Sequence, residues 1–397
     1  MKTTKFRPSE VGPIPEEWEV KPICDIAPLQ RGFDLPSSKL RDGNVPVVYS
    51  NGIGAYHDTG MCVAPALVTG RSGTVGKFTY IREGAYWPHN TALWVTSFCG
   101  NSPLYVKYLF ETLDFEAFST GTGVPTLNRN SVHDHKVAIP PRAEQERIAE
   151  ALSDVDALLA AMSKLIEKKR AIKQGAMQQL FTGKKRLAGF TGKWVEKRLG
   201  DVGEFVGGGT PSTAISSYWG GDIDWYTPAE IGYAKYVNSS NRRITNEGLR
   251  NSAARVLPAG AILLTTRASI GLRAILKHEA ATNQGFQSLI VNEESDSEFM
   301  YYFLSTVVEE MESRASGSTF LEISSSKLKE IPIVVPLTVA EQKAIAAVLS
   351  DMDAEIAALE AKRAKYESVK QGMMQELLTG KTRLVETRLT GFTGLRR

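Results

Sequence analysis

The feature that most constrains this chain of 397 residues is an internal repeat. The segment 143–187 aligns without gaps on the segment 340–384, and 24 of the 45 aligned positions are identical at a constant offset of 197. A shorter match pairs residues 18–26 with residues 194–202, and both of these segments begin with tryptophan. Self-similarity at a fixed distance indicates repeated structural units. The expected unit is a variable block followed by a repeated segment.

Both repeated segments have the apolar spacing of a long helix. Apolar residues step by four and three from Ile148 in the first copy and from Ile345 in the second. This heptad spacing is typical of a helix whose narrow apolar seam packs on another helix. Roughly forty residues at 1.5 Å each make a rod of about 60 Å. The expected coiled-coil core consists of Ile148, Leu152, Val155, Leu159, Met162, Ile345, Leu349, Met352, Ile356 and Leu359.

Four glycines have predicted places on these helices. Gly183 and Gly380 are expected to end them, because glycine is favoured just past a helix. Gly175 and Gly372 lie inside the helical pattern, where glycine costs about 1 kcal/mol relative to alanine. Their recurrence at one register suggests close approach of another helix or of a partner.

The variable blocks carry the short β-branched and aromatic runs of mixed α/β (α+β) domains. Because each helix leaves one block, the second helix is expected to fold back antiparallel along the first. Gly-Phe-Thr-Gly occurs at 189–192 and again at 391–394, which suggests a circularly closed arrangement with a pseudo-two-fold axis. The expected boundaries are 1–142 for the first domain, 143–187 for the central helix, 188–336 for the second domain, 337–384 for the distal helix and 385–397 for a tail near the N-terminus.

Local patterns predict elements inside the two blocks. The expected strands are 45–49, 66–69, 77–81, 92–96, 261–266, 272–276 and 288–291, and the expected helices are 104–113 and 298–311.

Composition excludes several classes of protein. Hydrophobic residues make up 42% of the chain and charged residues 23%, which is ordinary for a globular protein. No apolar run approaches the roughly 18 residues of a membrane helix, and the N-terminus lacks the apolar core of a signal peptide. The three cysteines are odd in number and widely spaced, so neither disulfides nor a zinc site is expected. These observations predict a cytoplasmic protein with no membrane partner.

Charge is unevenly distributed. The formal net charge is +3, yet residues 164–198 contain eleven basic side chains and two acids. A polyanion is therefore a plausible partner, although a solvated helix face explains the same pattern.

The whole chain closely resembles the specificity subunit of type I restriction-modification systems. In that family two variable domains alternate with two repeated helices. The second helix departs from the family pattern, since Thr338 stands where the first has Pro141. The motifs that carry the resemblance are Lys-Gln-Gly-x-Met-Gln-x-Leu-x-Thr-Gly-Lys-x-Arg-Leu at 173–187 and 370–384, Glu-Gln at 144–145 and 341–342, Arg-Gly-Phe-Asp-Leu-Pro at 31–36 and Gly-Thr-Pro-Ser at 209–212.

The resemblance implies a non-catalytic subunit that recognises double-stranded DNA. Each variable block would be a target recognition domain reading one half of a bipartite, asymmetric site. The helices would set the gap between the half-sites and dock two methyltransferase subunits, with motor-nuclease restriction subunits joining for cleavage. It implies no catalytic residue, no metal and no cofactor in this chain, because S-adenosylmethionine, ATP and magnesium belong to the partner subunits.

The sequence gives only weak support to a cofactor site, a nucleotide site or a metal site in this chain. The glycines at 205–209 loosely fit a cofactor loop, but the chain has no Asn/Asp-Pro-Pro-Tyr/Phe motif. Residues 70–77 mimic a phosphate loop whose final Ser/Thr is missing. His133 and His135 lack a third ligand nearby in sequence and are read as a polar turn, as are Asp222 and Asp224.

Loops rich in base-reading and phosphate-binding side chains are the candidate DNA contacts. Each member taken singly has a solvated or structural role as its alternative. The candidates are Arg31, Lys39, Arg71, Lys77, Asn128, Arg129, Thr210, Ser212, Arg242, Arg243, Arg267, Arg273 and Lys327, with Ser318 and Thr319 beside them.

Two further functional classes remain open at this point. One is a coiled-coil scaffold with two protein-binding domains and no DNA recognition of its own. The other is a self-sufficient methyltransferase, which the missing catalytic motif disfavours.

Overall fold

A computed structural model describes residues 5–120, 126–317 and 321–384. The chain divides into two compact units, of which the first contains Met1–Lys164 and Ala361–Arg397 and the second contains Leu165–Glu360. Within the described ranges, no helix has the length and apolar character needed to cross a membrane.

Two long helices stand out among short ones, and they coincide with the two repeated segments, which confirms the helices predicted from heptad spacing. The helix predicted over 298–311 is instead two helices joined by a 3-10 turn at Leu304–Val307. The hydroxyls of Ser305 and Thr306 donate to backbone carbonyls three residues back, a bond that competes with regular helix. The helices are α1 Pro103–Thr112, α2 Arg129–Asp134, α3 Arg142–Phe181, α4 Asn246–Arg250, α5 Ser297–Phe303, α6 Val308–Arg314, α7 Ser325–Lys329 and α8 Val339–Leu377.

The first unit contains two main sheets. Its strands are β1 Phe6–Arg7, β2 Ile14–Pro15, β3 Glu19–Pro22, β4 Leu29–Arg31, β5 Val45–Tyr49, β6 Gly52–His57, β7 Cys62–Val63, β8 Ala66–Gly70, β9 Phe78–Ile81, β10 Ala85–Pro88, β11 Ala92–Val95, β12 Ser119–Thr120, β13 Thr126–Leu127 and β14 Lys136–Ile139. One sheet is antiparallel with the order β4-β11-β8-β9. The other has the order β6-β5-β10-β7, with β5 and β10 parallel. Strand β3 pairs with β14.

The second unit repeats this topology. Its strands are β15 Trp194–Arg198, β16 Gly203–Gly207, β17 Trp219–Tyr226, β18 Tyr236–Val237, β19 Arg242–Ile244, β20 Ile262–Leu264, β21 Arg273–Leu276, β22 Ala280–Thr282, β23 Gln287–Val291 and β24 Pro332–Pro336. The order β16-β23-β20-β21 matches β4-β11-β8-β9, and β19-β17-β22 matches β6-β5-β10. The pair β15 and β24 matches β3 and β14. The predicted strands are thus confirmed, and the variable blocks share one fold.

Each unit has a core that its sheet and its helix segments build together. In the first unit, Leu152 of α3 and Leu377 of α8 pack with the β4-β11-β8-β9 sheet and α1. In the second, Phe181 of α3 and Leu349 of α8 pack with the corresponding sheet and α5. The ends of the long helices therefore complete the domain cores.

The residues expected along the seam differ in burial. Burial is most complete near the helix starts, where the side chains enter the domain cores. Six of the ten are buried, namely Ile148, Leu152, Met162, Ile345, Leu349 and Ile356, whereas Val155, Leu159, Met352 and Leu359 are half-buried.

Polar contacts between α3 and α8 show that their segments run antiparallel within each unit. In the first unit Lys370 Nζ lies 2.7 Å from Asp156 Oδ1, and Arg363 Nε donates to Ser163 Oγ at 2.9 Å. In the second unit Arg170 lies 2.6 Å from a carboxylate oxygen of Glu360. The predicted fold-back is present in both.

The helix ends follow the sequence signals. Gly183 and Gly380 have φ of 68° and 72°, a left-handed conformation that glycine adopts without strain, so the predicted stops are confirmed. Helix α8 begins without proline, and the Thr338 hydroxyl accepts the backbone N–H of Glu341 at 3.4 Å in its place.

The glycines inside the helices have open surroundings. A Cβ added to Gly175 or Gly372 would meet no atom within 4 Å among the described residues, so packing within this part of the chain does not explain them. The predicted tail at 385–397, including the second Gly-Phe-Thr-Gly, lies outside the described residues.

Replacement of a buried leucine in α3 tests the shared core. Leu152 is fully buried, whereas Leu158 on the same helix is 40% exposed. We expect Leu152→Ala to lower the free energy of unfolding by about 2–5 kcal/mol, because it leaves a cavity. The control Leu158→Ala should cost less than about 0.5 kcal/mol. Urea unfolding followed by circular dichroism measures both, and equal losses would contradict a core that includes the helix start.

Candidate nucleic-acid interface

Several candidate DNA contacts lie at equivalent strand ends of two corresponding sheets, β4-β11-β8-β9 in the first unit and β16-β23-β20-β21 in the second. Arg31 ends β4 and Arg71 follows β8 in the first unit. Thr210 and Ser212 follow β16, and Arg267 follows β20, in the second unit. Since β4 and β8 occupy the sheet positions of β16 and β20, the fold brings these residues to one corresponding edge of each sheet.

In the first unit the edge is organised around the loop that joins β10 to β11. Arg31 Nε donates to the carbonyl of Asn90 at 3.3 Å, and the backbone N–H of Arg71 donates to the carbonyl of Thr91 at 2.9 Å. Lys39 ends an exposed 3-10 turn, and Lys77 precedes β9 as an exposed side chain. The two arginines therefore come together, whereas Lys39 and Lys77 lie further along the loops that follow β4 and β8.

Asn128 and Arg129 stand at the start of α2. The Asn128 Oδ1 accepts the backbone N–H two residues further on at 3.0 Å, so this side chain caps the helix. Arg129 is exposed. The preceding loop residues 121–125 and the candidates Ser318 and Thr319 lie outside the described residues.

Of the two histidines His133 and His135, His133 has a structural role. The Nε2 of His133 accepts the backbone N–H of Leu29 at 2.8 Å. Burial, followed by the charge of Arg129, lowers the pKa of His133. No group of three or more His, Cys, Asp or Glu side chains in the described ranges is placed to hold a metal ion.

Arg242 and Arg243 begin strand β19 and have different neighbours. The Arg242 guanidinium lies over the Trp219 ring, 3.6 Å from its centre, and Arg243 Nε donates to Asp224 at 3.2 Å. Asp222 and Asp224 belong to β17, so their reading as turn residues was wrong. A register shift in this strand breaks the alternation on which strand prediction depends.

Two further candidates donate to backbone carbonyls of their own domain. Arg273 donates to the carbonyls of Tyr301 and Gly271 at 2.6 and 3.0 Å, and burial lowers its pKa. Lys327 donates through Nζ to the carbonyl of Arg314 at 2.9 Å. Arg273 in particular is held by the fold, because a buried charged group needs such partners.

Sequence reasoning missed a polar residue of this interface, Gln284. The Thr210 hydroxyl donates to the Gln284 Oε1 at 2.6 Å and joins the loop after β16 to the loop after β22. Ser212 contributes its carbonyl, which accepts the indole N–H of Trp219 at 3.1 Å. The signal in the sequence is the polar run Asn283-Gln284 before a glycine, between two apolar strands.

A buried ion pair fixes the junction between helix and domain in each unit. In the first, Arg383 donates to both carboxylate oxygens of Glu144, at 2.6 and 2.8 Å, and the Trp18 indole donates to the same carboxylate at 3.2 Å. In the second, Arg186, Glu341 and Trp194 make the corresponding contacts. These residues hold the strand edges in place relative to the helices of the same unit.

A second repeated contact engages Lys173 and Lys370, the lysines of the two Lys-Gln-Gly signatures. Lys370 and Tyr108 both bond Asp156 in the first unit, at 2.7 Å each. Burial alone would raise the pKa of Asp156, but these two partners outweigh it and lower that pKa. Lys173 contacts Asp353 in the same way in the second unit. Both lysines are paired inside their units.

Comparison with known proteins agrees with the repeated fold. The model of the family described as the type I restriction modification DNA specificity domain matches residues 15–171 and, a second time, residues 191–368. The chain belongs to this family. Within it, the type I restriction enzyme MjaIX specificity subunit of Methanocaldococcus jannaschii is 43% identical over 164 residues, which cover 40% of this chain and 38% of that protein.

Longer matches in the specificity family are more distant. The putative type I restriction enzyme MjaX specificity subunit, from the same organism, is 26% identical over 427 aligned residues that cover 96% of this chain and 98% of that protein. The crystal structure of the type I restriction-modification S subunit from M. genitalium has a TM-score of 0.61 at 15% identity, covering 91% of this chain and 96% of that one. The likeness to the solved structure is one of fold.

Substitutions of two arginines in the second domain distinguish an arginine that stabilises the fold from one that lies on the surface. We expect Arg273→Ala to lower the free energy of unfolding by about 1–3 kcal/mol, because two partly buried carbonyls lose their donor. Arg267→Ala, at an exposed position, should change it by less than about 0.5 kcal/mol. Thermal unfolding of both purified variants measures the difference, and a stable Arg273→Ala protein would contradict the structural role.

Proposed function

We propose that this chain is a non-catalytic DNA-recognition subunit of a type I restriction-modification complex, in which each globular domain reads one half of a bipartite, asymmetric site. The observation that carries the proposal is that two domains of one topology present different side chains at equivalent positions. Arg71 and Thr266 make the same backbone bond to the neighbouring loop, yet Ser72 follows the first and Arg267 follows the second. Different loop chemistry on one scaffold suits the reading of two sequences.

The proposal includes partner subunits. Two methyltransferase subunits are expected to dock, because α3 and α8 repeat their sequence and so offer one partner two equivalent surfaces. Restriction subunits join this complex for cleavage. S-adenosylmethionine, ATP and magnesium are proposed to act in those partners, on DNA in the cytoplasm. Support comes from the relatives, which are named as type I restriction enzyme specificity subunits.

The closed, pseudo-two-fold arrangement is also proposed. Its support lies within the first unit, which contains the N-terminal domain together with the end of α8. Arg383 reaches Glu17 and Glu144 there, and Arg147 donates to the carbonyl of Leu384 at 3.2 Å.

Methylation mapping tests the recognition role. The chain would be co-expressed with the methyltransferase subunit of its host in a methylation-free strain, and modified bases would be located by single-molecule sequencing. We expect a split motif with an unspecified gap, and no motif when this chain is omitted. Binding of the complex to that DNA should fall steeply with salt, because phosphate contacts release counterions. A stable complex that modifies no sequence and binds DNA without salt dependence would favour a protein-binding scaffold.

Helix length tests the proposed control of the gap. Seven residues, two helical turns in heptad register, would be inserted into both helices, after Lys164 and after Glu360, where the two units meet along the chain. At 1.5 Å per residue we expect the gap to widen by about three base pairs, with both half-sites unchanged. The control insertion, placed in the linker 188–193, should leave the gap as it was. An unchanged gap in the helix variant would refute the idea.

A further inference from the structure

A concave site on the second domain gathers polar side chains from two loops at one edge of its main sheet. The loop after β20 contributes Arg267 and Ser269, and the loop between β22 and β23 contributes Asn283 and Gln284. Pro228 closes one side, and the cavity has a volume of about 360 Å³. We call it the Arg267 pocket.

The backbone of this pocket is fixed. Thr265 is fully buried, and its hydroxyl donates to the carbonyl of Ser269 and accepts the N–H of Leu272 at 3.0 Å. Ala268 has φ of 63°, a left-handed conformation that residues other than glycine adopt rarely. Surrounding bonds hold this conformation in place, as is typical of functional loops. Arg267 therefore projects from a rigid turn.

Neighbouring donors orient the two amide side chains. Thr210 donates to the Gln284 Oε1 at 2.6 Å, and the backbone N–H of Gly285 donates to the Asn283 Oδ1 at 2.9 Å. The bond from Gly285 identifies the Asn283 amide oxygen, because a backbone N–H can only donate, and the bond from Thr210 places the Gln284 oxygen beside that hydroxyl. Neither NH₂ group donates to a protein acceptor within the described residues. Both remain as donors at the pocket.

The arginine adds further donors. Its Nε forms an exposed ion pair with Glu322 at 3.6 Å, beyond hydrogen-bonding distance, and its side chain is 45% exposed. No hydrogen bond engages the Arg267 guanidinium in the described part of the chain. The groups of the pocket that make no hydrogen bond are thus mainly N–H donors on three planar groups, a guanidinium and two amides. A ligand that fits them presents paired acceptors at a planar edge.

Guanine presents such an edge in the major groove, where O6 and N7 are both acceptors. DNA phosphate also accepts hydrogen bonds, but no lysine lines the pocket, and preoriented planar donors match a base edge better. The first domain lacks the arginine at this place, since Ser72 is the equivalent of Arg267 by backbone pairing. An arginine that only one of the two domains has at this position suits a base-specific contact better than a contact to the DNA backbone, which both domains would need.

We infer that the Arg267 pocket reads a guanine in the half-site of the second domain. Arg267 donates to its O6 and N7, Gln284 donates to an adjacent acceptor, and Thr210 is a positioning residue that orients Gln284. This inference rests on the proposed function and deepens it.

Methylation mapping with variants tests the pocket, in the complex with methyltransferase. We expect Arg267→Ala to relax one guanine position, with discrimination against other bases falling roughly 5- to 150-fold, while the other half-site and the gap stay unchanged. Gln284→Ala should relax a position in the same half-site. Thr210→Val should reproduce part of that loss, whereas Thr210→Ser keeps the hydroxyl and the wild-type motif.

The matched control is Arg250→Ala, which removes the same charge from an exposed site on α4, outside the pocket. It should leave every motif position as specific as before. If Arg267→Ala abolishes modification, the base preference at each position can be measured instead by binding competition between duplexes that carry each base at that position.

Three outcomes would overturn the inference. They are a wild-type motif without guanine in either half-site, an unchanged motif in Arg267→Ala, and a uniform loss of affinity with no position relaxed, which would indicate a phosphate contact. A wild-type complex that yields no motif at all would instead count against the proposed function. The two failures are therefore distinguishable.

Discussion

One buried carboxylate in each unit is the interaction on which the rest of the structure depends. Glu144 and Glu341 are 2% and 1% exposed, each at the start of a long helix. A buried charge is tolerated only when it is paired and hydrogen-bonded, and removal of one partner costs about 3–5 kcal/mol. The arginine comes from the end of the other helix, and the indole comes from the beginning of the domain. In each unit, one ion pair thereby joins the start of one long helix, the segment that follows the end of the other, and the globular domain.

This fixed junction allows the loops to vary. The strands that the two domains share have the same order in both, because pairing depends on backbone hydrogen bonds and on alternating burial. The side chains of loops at strand ends need neither to pair in a sheet nor to alternate between buried and exposed. The rigid scaffold therefore positions whatever side chains these loops contain. Ser72 and Arg267 illustrate this, since equivalent backbone positions bear a short hydroxyl and a long cation.

Sequence reasoning placed the candidate DNA contacts on loops but did not separate exposed side chains from those that the fold holds. Its candidates were chosen by residue type, and type alone does not separate Arg273, which donates to partly buried carbonyls, from exposed Arg267. Gln284 was missed because its importance comes from Thr210, a residue 74 positions away. The strand β17 was read as a turn at Asp222, because a bulge hides its alternation.

The sequence by itself determined the features that depend on neighbouring residues: the two repeated helices, their glycine stops, most strands and the family. These follow from local periodicity and backbone preference, which a single chain displays directly. Tertiary structure alone decided which side chains meet. Arg383 and Glu144 are separated by 239 positions, and the shared order of the strands became visible only in the folded domains. Such contacts depend on how distant segments pack, which local patterns do not specify.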